Sequence, residues 1–338
     1  MDALDERLIR VSGDGVRREH GELRPGEVRP VKADYRVVEK WMTPGEAFRA
    51  VCAVCVQHIE GNRSGALAAA DAEYLHQMRV ALRRLRTAFE VFADGVPQAV
   101  AAPLLEELRW LSRALGRARD WDVFIAGALR PALAQRSRQS GLRALRDASE
   151  DLSADARSSA HRALESRRYY ALMRALRALG YGDTPLAPRP AGAVRSLPMR
   201  HAVAVIAAMA LGARKRGRKL KRLDSRELQR LRKAVRRLRY GLLFLAPLLP
   251  EARVRPLAES VESLQETLGG INDCAVAGKL VEQARGRVRG SRLRKARKLL
   301  RKRIATALGA RRAALGTQWE EFRAAHKAWP ARAGGGRT

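Results

Sequence analysis

The sequence is poor in acidic side chains. Asp and Glu number 35 against 67 Lys and Arg, which leaves a net charge of +32 at neutral pH. A chain with this excess of positive charge seeks polyanions such as nucleic acid, polyphosphate or an anionic membrane surface. Of the 67 cationic residues, 56 are Arg. The planar guanidinium group makes two-pronged contacts to phosphate and keeps its charge, so the composition favours a phosphate-rich partner.

Cysteines and long apolar runs are also scarce. Three cysteines are too few for a disulfide framework and are typical of a reducing compartment. No N-terminal apolar region has the character of a signal peptide, and no run approaches the length of a membrane span. We therefore expect a cytoplasmic protein without a membrane span.

Signatures of catalysis and of specific nucleic-acid recognition are missing. The sequence contains neither a GxxxxGK[ST] phosphate loop nor clustered carboxylates for a metal pair, so we expect no enzymatic activity and no cofactor. Aromatic residues make up 5% of the chain, too few for evident base-stacking platforms. Cys52, Cys55 and His58 have a spacing that can bind zinc, but small buried residues on an apolar helix face are the favoured interpretation, and we predict no metal.

One stretch of the chain occurs twice. Residues 75–92, LHQMRVALRRLRTAFEVF, match residues 228–245, LQRLRKAVRRLRYGLLFL, at an offset of 153. Between 75–123 and 228–276 there are 18 identities in 49 ungapped pairs. A match of this length without gaps indicates a structural unit present in two copies.

Both copies have the pattern of an amphipathic helix. In the first copy, Leu75, Met78, Leu82, Leu85 and Phe89 fall on one side of a helix with 3.6 residues per turn. No acidic residue lies between His76 and Arg86, so the basic side has no internal partners, and a bound anion would offset its repulsion. The predicted polyanion-binding residues are His76, Arg79, Arg83, Arg84, Arg86, Gln229, Arg232, Lys233, Arg236, Arg237 and Arg239.

Further basic residues flank these two helices. Gly116 and Gly269-Gly270 predict the ends of the following helices, with Asp120 and Asn272-Asp273 beginning the next ones. Asp120 is interpreted as an N-cap in preference to a residue that orients Arg side chains. The predicted extension of the basic surface comprises Arg113, Arg117 and Arg119 beside the first of these turns and Arg294 and Lys298 in the last helix.

The two repeated segments resemble a known family. LHQMRVALRRLR with LGRARDWDV, and LQRLRKAVRRLR with LGGINDCAV, resemble the CHAD domain, the conserved histidine α-helical domain, over roughly residues 44–327. The resemblance implies two four-helix bundles related by a pseudo-two-fold axis, with a basic central surface or pore that binds inorganic polyphosphate. Some members lie on polyhydroxyalkanoate granules, and others are fused to a CYTH triphosphate-tunnel domain. His76 matches the family histidine, whereas Gln229 stands where many members have His.

These observations give an all-α fold with a definite division of the chain. We predict a disordered tail at 1–40, a CHAD domain at 41–327 with halves 41–180 and 197–327 joined by a linker at 181–196, and a disordered tail at 328–338. The predicted function is non-catalytic binding of inorganic polyphosphate, with targeting to polyphosphate or polyhydroxyalkanoate granules as an added role. Nonspecific nucleic-acid binding is the alternative, because charge alone supports it.

Overall fold

The computed structural model describes residues 29–68, 71–136, 139–182, 186, 199–288 and 292–329. Within these ranges the chain forms helices and no strand, which confirms the predicted all-α class. The α-helices, in chain order, are α1 (Pro44–Glu60), α2 (Arg63–Leu67), α3 (Ala72–Val91), α4 (Gln98–Phe124), α5 (Arg130–Gln135), α6 (Ser140–Glu165), α7 (Arg167–Tyr181), α8 (Met199–Arg216), α9 (Ser225–Leu245), α10 (Glu251–Gly286) and α11 (Arg292–Ala328). A π-helical turn, Ile125–Leu129, joins α4 to α5.

The sequence repeat is also a repeat of helix boundaries. Helices α3 and α9 begin 153 residues apart, as do α4 and α10. A short 3₁₀ turn separates α3 from α4, and another separates α9 from α10. Asp71 caps α3 by accepting a hydrogen bond from the backbone N–H of Glu73 at 2.9 Å. Asp224 caps α9 in the same way, from the N–H of Glu227 at 2.7 Å. The two motif helices therefore begin for the same local reason.

Helices α4 and α10 are longer than the sequence predicts. Gly116 and Asp120 lie inside α4, and Gly269, Gly270 and Asp273 lie inside α10, so the predicted ends and N-caps at these positions are wrong. A helical Gly costs only about 1 kcal/mol relative to Ala. Leucines adjacent to these glycines are fully buried against other helices, and this packing outweighs the local cost.

The segment from Ser140 to Tyr181 forms two helices. Ser166 has an extended backbone between α6 and α7, and its hydroxyl accepts a hydrogen bond from the N–H of Tyr169 at 3.2 Å. Ser and Thr favour such caps because their hydroxyls replace a missing backbone partner. The break lets α7 turn back against α1.

The helices pack so that the two motif helices meet. Helix α3 packs against α1 and α4, and α9 packs against α8 and α10. Helix α10 contacts α4, α6 and α11, and α3 contacts α9 directly. One continuous set of buried side chains runs through both copies, with Phe48, Leu82 and Leu111 from the first and Phe244 and Phe322 from the second. The shared core fixes α3 and α9 side by side.

The core extends past both ends of the predicted domain. Tyr35 and Val38 are each 1% exposed, although they fall in the predicted disordered tail. Trp329 is also buried, and its indole N–H donates to the Val203 carbonyl at 3.3 Å. The rest of the predicted tails, 1–28 and 330–338, and most of the predicted linker lie outside the described residues. In the described part of the chain, no helix is long and apolar enough to cross a membrane.

Candidate anion-binding site

The contact between α3 and α9 brings four arginines together. Arg79 and Arg83 are one helical turn apart on α3, and Arg232 and Arg236 hold the equivalent positions on α9. We call these four residues the central arginine cluster. All four are half-buried.

Burial and mutual repulsion act together on this cluster. Burial lowers the pKa of Arg236 to about 9, and the positive charges of Arg83, Arg232 and Arg79 add to this effect. Burial likewise lowers the pKa of Arg79 to about 10, with Arg83 and Arg232 again unfavourable. The protonated forms are therefore held at an energetic cost, which a negative charge between the two helices would relieve.

Two carboxylates from the repeated LG…D motif lie beside the cluster. Asp120 Oδ1 is 3.6 Å from Arg79 Nη1, and the same nitrogen donates to the Gly116 carbonyl at 3.1 Å. Asp273, the counterpart of Asp120, favours the charged form of Arg232. Asp120 therefore holds an arginine side chain from inside α4 and does not cap a helix.

Tyr240 is a cluster neighbour that the sequence analysis did not include. Its buried hydroxyl accepts a hydrogen bond from Arg83 Nε at 3.3 Å. Burial raises the pKa of Tyr240, but the charges of Arg83, Arg236 and Arg84 outweigh this and bring the pKa down to about 7. Its position one helical turn after Arg236 is the sequence signal that could have placed it beside the cluster. The repeat does not reinforce this signal, because the counterpart of Tyr240 in the first copy is Thr87.

Three predicted site residues lie in the interior. His76 is 7% exposed, and Arg84 and Arg239 are each 5% exposed. The Arg84 guanidinium carbon lies 4.2 Å from the centre of the Tyr35 ring, and Arg239 Nη2 lies 3.7 Å from a carboxylate oxygen of Glu262. Neighbouring segments cover these three residues on the flanks of both helices, and their predicted part in anion binding stays a prediction.

The sequence-equivalent arginines are packed differently in the two copies. Arg237, the counterpart of buried Arg84, is exposed and pairs with Glu90 at 3.3 Å. Arg86, the counterpart of buried Arg239, is half-buried. Burial and then the positive charge of Arg109 lower the pKa of Arg86. Glu262, which stands at the position equivalent to Arg109 in the second copy, instead favours the charged form of Arg239. The flanking residues, not the repeated motif, decide which arginines stay accessible.

The remaining predicted residues of α9 line the same contact. Gln229 donates a hydrogen bond to Asn272 and accepts one from Arg232 Nε at 3.1 Å, so this amide positions an arginine of the cluster. Lys233 is exposed on the next turn. On α4, Arg113 and Arg117 are exposed, and Arg119 is half-buried beside Arg79.

The last helix contributes a different residue from those predicted. A Cβ atom at Gly270 would overlap the guanidinium of Arg311, so the absence of a side chain admits this arginine near Asp273 and Cys274. Arg294 and Lys298 are exposed on the same helix but at least 13 residues away, about 20 Å along its axis. Their predicted part in extending the basic surface stays a prediction.

The Cys52, Cys55 and His58 group is built into the core. Both thiols are buried, and His58 is hydrogen-bonded through both ring nitrogens, to the Tyr35 hydroxyl at 2.9 Å and to the Gln77 side-chain oxygen at 3.0 Å. Across the described ranges, no group of three or more His, Cys, Asp or Glu side chains could hold a metal ion.

Comparison with known proteins identifies the family. The family model for the CHAD domain matches residues 50–282, and the chain belongs to this family. The crystal structure of the CHAD domain from the plant Ricinus communis is similar, with a TM-score of 0.67 and 28% identity over 90% of this chain and 99% of that one. PptA from Streptomyces chartreusis shares the fold, with a TM-score of 0.64 and 16% identity over 82% of this chain and 99% of that one. No curated protein matches the chain.

Proposed function

We propose that this protein binds inorganic polyphosphate without catalysis, through the central arginine cluster. The observation that carries the proposal is the convergence of four half-buried guanidinium groups from two repeated helices. Asp120 and Asp273 offset part of their charge, and the lowered pKa values of Arg79 and Arg236 express the remaining repulsion. A bound polyanion stabilises such a cluster because it replaces repulsion by charge-assisted hydrogen bonds.

The proposal includes the arrangement of the two copies. In it, the halves form two four-helix bundles related by a pseudo-two-fold axis, and α3 and α9 line a basic groove along that axis. Each internal phosphate unit of a polyphosphate carries about one negative charge, so a linear chain presents a regular row of acceptors. The exposed residues Arg113, Arg117, Lys233 and Arg237 would extend its contacts beyond the cluster.

A binding role fits the residues of the site better than a catalytic one. The side chains around the cluster are Arg, a buried Tyr and two Asp carboxylates already engaged with arginines. We propose targeting to polyphosphate or polyhydroxyalkanoate granules as an added role. Polyphosphate binding supports the first kind of granule, and the second rests on the family resemblance alone.

Nonspecific nucleic-acid binding is the second candidate. The net charge of +32 favours it, because phosphate backbones attract any strongly basic surface. Tyr240, the aromatic residue hydrogen-bonded to the cluster, is buried and presents no open face to a base. Single-stranded nucleic acids gain about 1–3 kcal/mol per base from aromatic stacking, and the cluster lacks a platform for this gain.

Charge reversal at the centre of the cluster tests the proposed site. We expect Arg83→Glu combined with Arg236→Glu to reduce polyphosphate affinity by at least about a hundredfold, because two attractive contacts become repulsive. Affinity is measured by titration with labelled long-chain polyphosphate, and helicity is checked by circular dichroism.

The matched control is Arg162→Glu with Arg174→Glu. These residues are exposed on α6 and α7, and the double variant changes the net charge by the same amount. We expect its polyphosphate affinity to fall by less than about threefold, because this variant loses only long-range attraction from the net charge. Equal losses in the two double variants would show that net charge, and not the central arginine cluster, governs binding.

A further inference from the structure

A second basic site lies away from the central arginine cluster, between the end of α8 and the last third of α11. An open pocket of about 1100 Å³ is formed there by the last turns of α8, the loop that follows it and residues 316–323 of α11. The α8 side supplies six cationic side chains, from Arg214, Lys215, Arg218, Lys219, Lys221 and Arg222. Arg323 of α11 adds a seventh.

A favourable interaction with the dipole of α8 explains only some of the cationic side chains that line the pocket. Cations in the last turn of a helix interact favourably with its dipole, and Arg214 and Lys215 occupy that turn of α8. The dipole effect fades within one turn, and four of the lining cations lie beyond the end of the helix. The one carboxylate lining the pocket, Glu320, already pairs with Arg323 at 2.8 Å. The pocket therefore keeps a large positive excess.

The loop is fixed to α11 by a specific contact. Gly217 is buried against the ring of Trp319, where a Cβ atom would overlap the indole. Trp319 is itself 4% exposed and packs against Phe322 with ring centres 5.3 Å apart. The basic loop therefore packs on the buried ring of Trp319, and this contact keeps its cationic side chains around one concave surface.

The pocket has apolar walls as well as cations. Leu211, Leu220 and Trp319 line it, and Leu211 is 39% exposed. An inorganic polyphosphate has no apolar part that could use such walls. A ligand that carries several phosphates on an organic body matches both features, and the volume accommodates a molecule of that size.

We propose that this pocket binds a compact phosphorylated organic molecule of the nucleoside triphosphate class. The phosphates contact the cations of the loop, and the organic body covers the exposed face of Leu211 and the neighbouring apolar wall. This site is separate from the central arginine cluster, and its occupation does not depend on the proposed polyphosphate function.

Calorimetric titration of the full chain tests the proposal with ATP and with inorganic tripolyphosphate as probes. Both probes carry three linked phosphates, and each is titrated into the wild type and into the variant Arg83→Glu with Arg236→Glu. In that variant the central arginine cluster is disabled, so the difference between the probes reports the organic body at the pocket. We expect ATP to bind at least threefold more tightly. We expect Leu211→Ser to remove this preference while leaving tripolyphosphate affinity within twofold.

Charge reversal locates the site. We expect Arg218→Glu with Lys221→Glu to weaken ATP binding by at least tenfold, whereas Arg83→Glu with Arg236→Glu leaves ATP binding within threefold. Arg162→Glu with Arg174→Glu serves as the charge-matched control, and a retained thermal midpoint confirms that each variant folds. Equal affinity for the two probes, unchanged ATP binding in the loop variant, or loss of ATP binding in the central variant would each overturn the proposal.

Discussion

Side chains of the same type have different roles according to their neighbours. Arg83 and Arg84 are adjacent on α3, yet Arg83 joins the central arginine cluster and Arg84 packs on the Tyr35 ring in the core. The segment that carries Tyr35 precedes the first copy of the repeat, so the motif alone could not indicate that it would cover Arg84. Residue-level assignment of the site therefore needed the tertiary structure.

Tyr240 should make anion binding depend on pH. With its pKa at about 7, the phenol ionises as pH rises from 6 to 8, and the phenolate faces Arg83, Arg84, Arg236 and Arg239. The internal negative charge would then compete with a bound anion, so we expect polyphosphate affinity to fall as pH rises. We expect Tyr240→Phe, which cannot ionise, to bind about fivefold more tightly than the wild type at pH 8 and equally at pH 6, a gain of about 1 kcal/mol.

Titration of the polyphosphate end groups affects the wild type and Tyr240→Phe equally, so the ratio of their affinities reports Tyr240 alone. Affinities are measured by the same labelled titration at pH 6, 7 and 8. Parallel pH profiles for the wild type and Tyr240→Phe would contradict the assignment of an ionising phenol beside the cluster.

His58 should make folding sensitive to acid. Burial, followed by the charge of Arg84, lowers the pKa of His58 from 6.5 to about 4. Between these values the unfolded chain binds a proton that the folded chain does not, so stability falls as pH falls through this window. Between pH 6.5 and pH 5, protonation of His58 in the unfolded chain lowers the free energy of unfolding by about 2 kcal/mol.

Two measurements check this expectation. Denaturant unfolding at pH 7, 6 and 5 gives the change in the free energy of unfolding, and NMR titration gives the pKa of the His58 ring. A ring that titrates near 6.5 in the folded protein would show that burial and the charge of Arg84 do not hold the imidazole neutral.

At the scale of secondary structure, local signals located the beginnings of the motif helices better than the ends of those that follow. Asp71 and Asp224 cap α3 and α9, and each cap is a local interaction with a backbone N–H two or three residues further on. The glycines at 116 and 269 predicted helix ends that do not form. Burial of the neighbouring leucines overrides that preference, and this tertiary effect is invisible in one short stretch of sequence.

The turn between α3 and α4 depends on a close backbone approach. A Cβ atom at Gly95 would overlap the backbone of Pro44 and Gly45 at the start of α1. Backbone cannot move aside as a flexible side chain can, so we expect Gly95→Ala to lower the free energy of unfolding by about 1–3 kcal/mol, the usual cost of overpacking. Chemical denaturation monitored by circular dichroism measures the change.

Gly309→Ala provides the contrasting substitution. Gly309 lies inside α11 with open space around its Cβ position, so alanine should raise stability by about 0.4–1 kcal/mol. Similar changes in the two variants would contradict the close contact between the α3–α4 turn and α1.

At the scale of the whole molecule, the sequence repeat predicted that helix starts recur along the chain. The offset of 153 residues recurs in the starts of α3 and α9, in the starts of α4 and α10, and in the positions of Asp120 and Asp273. Contributions from outside the repeated stretch could not be read from it. Tyr35 precedes the first copy, and Arg311 reaches the second from α11 across Gly270.

The net charge of +32 makes ligand choice the decisive question for the whole molecule. A strongly basic surface binds any polyanion, whereas a positioned cluster favours the ligand whose phosphates match its spacing. Affinity for a single polyanion cannot separate these two explanations, because both predict that it falls with salt.

The most direct test is a competition titration at about physiological salt, where charges are screened beyond roughly 8 Å. Labelled long-chain polyphosphate bound to the full chain is displaced by single-stranded DNA, duplex DNA, RNA and short phosphates at equal phosphate concentration. We predict that unlabelled long-chain polyphosphate competes at least tenfold better than any nucleic acid. Equal competition by nucleic acid would contradict it, because net charge alone would then explain the binding.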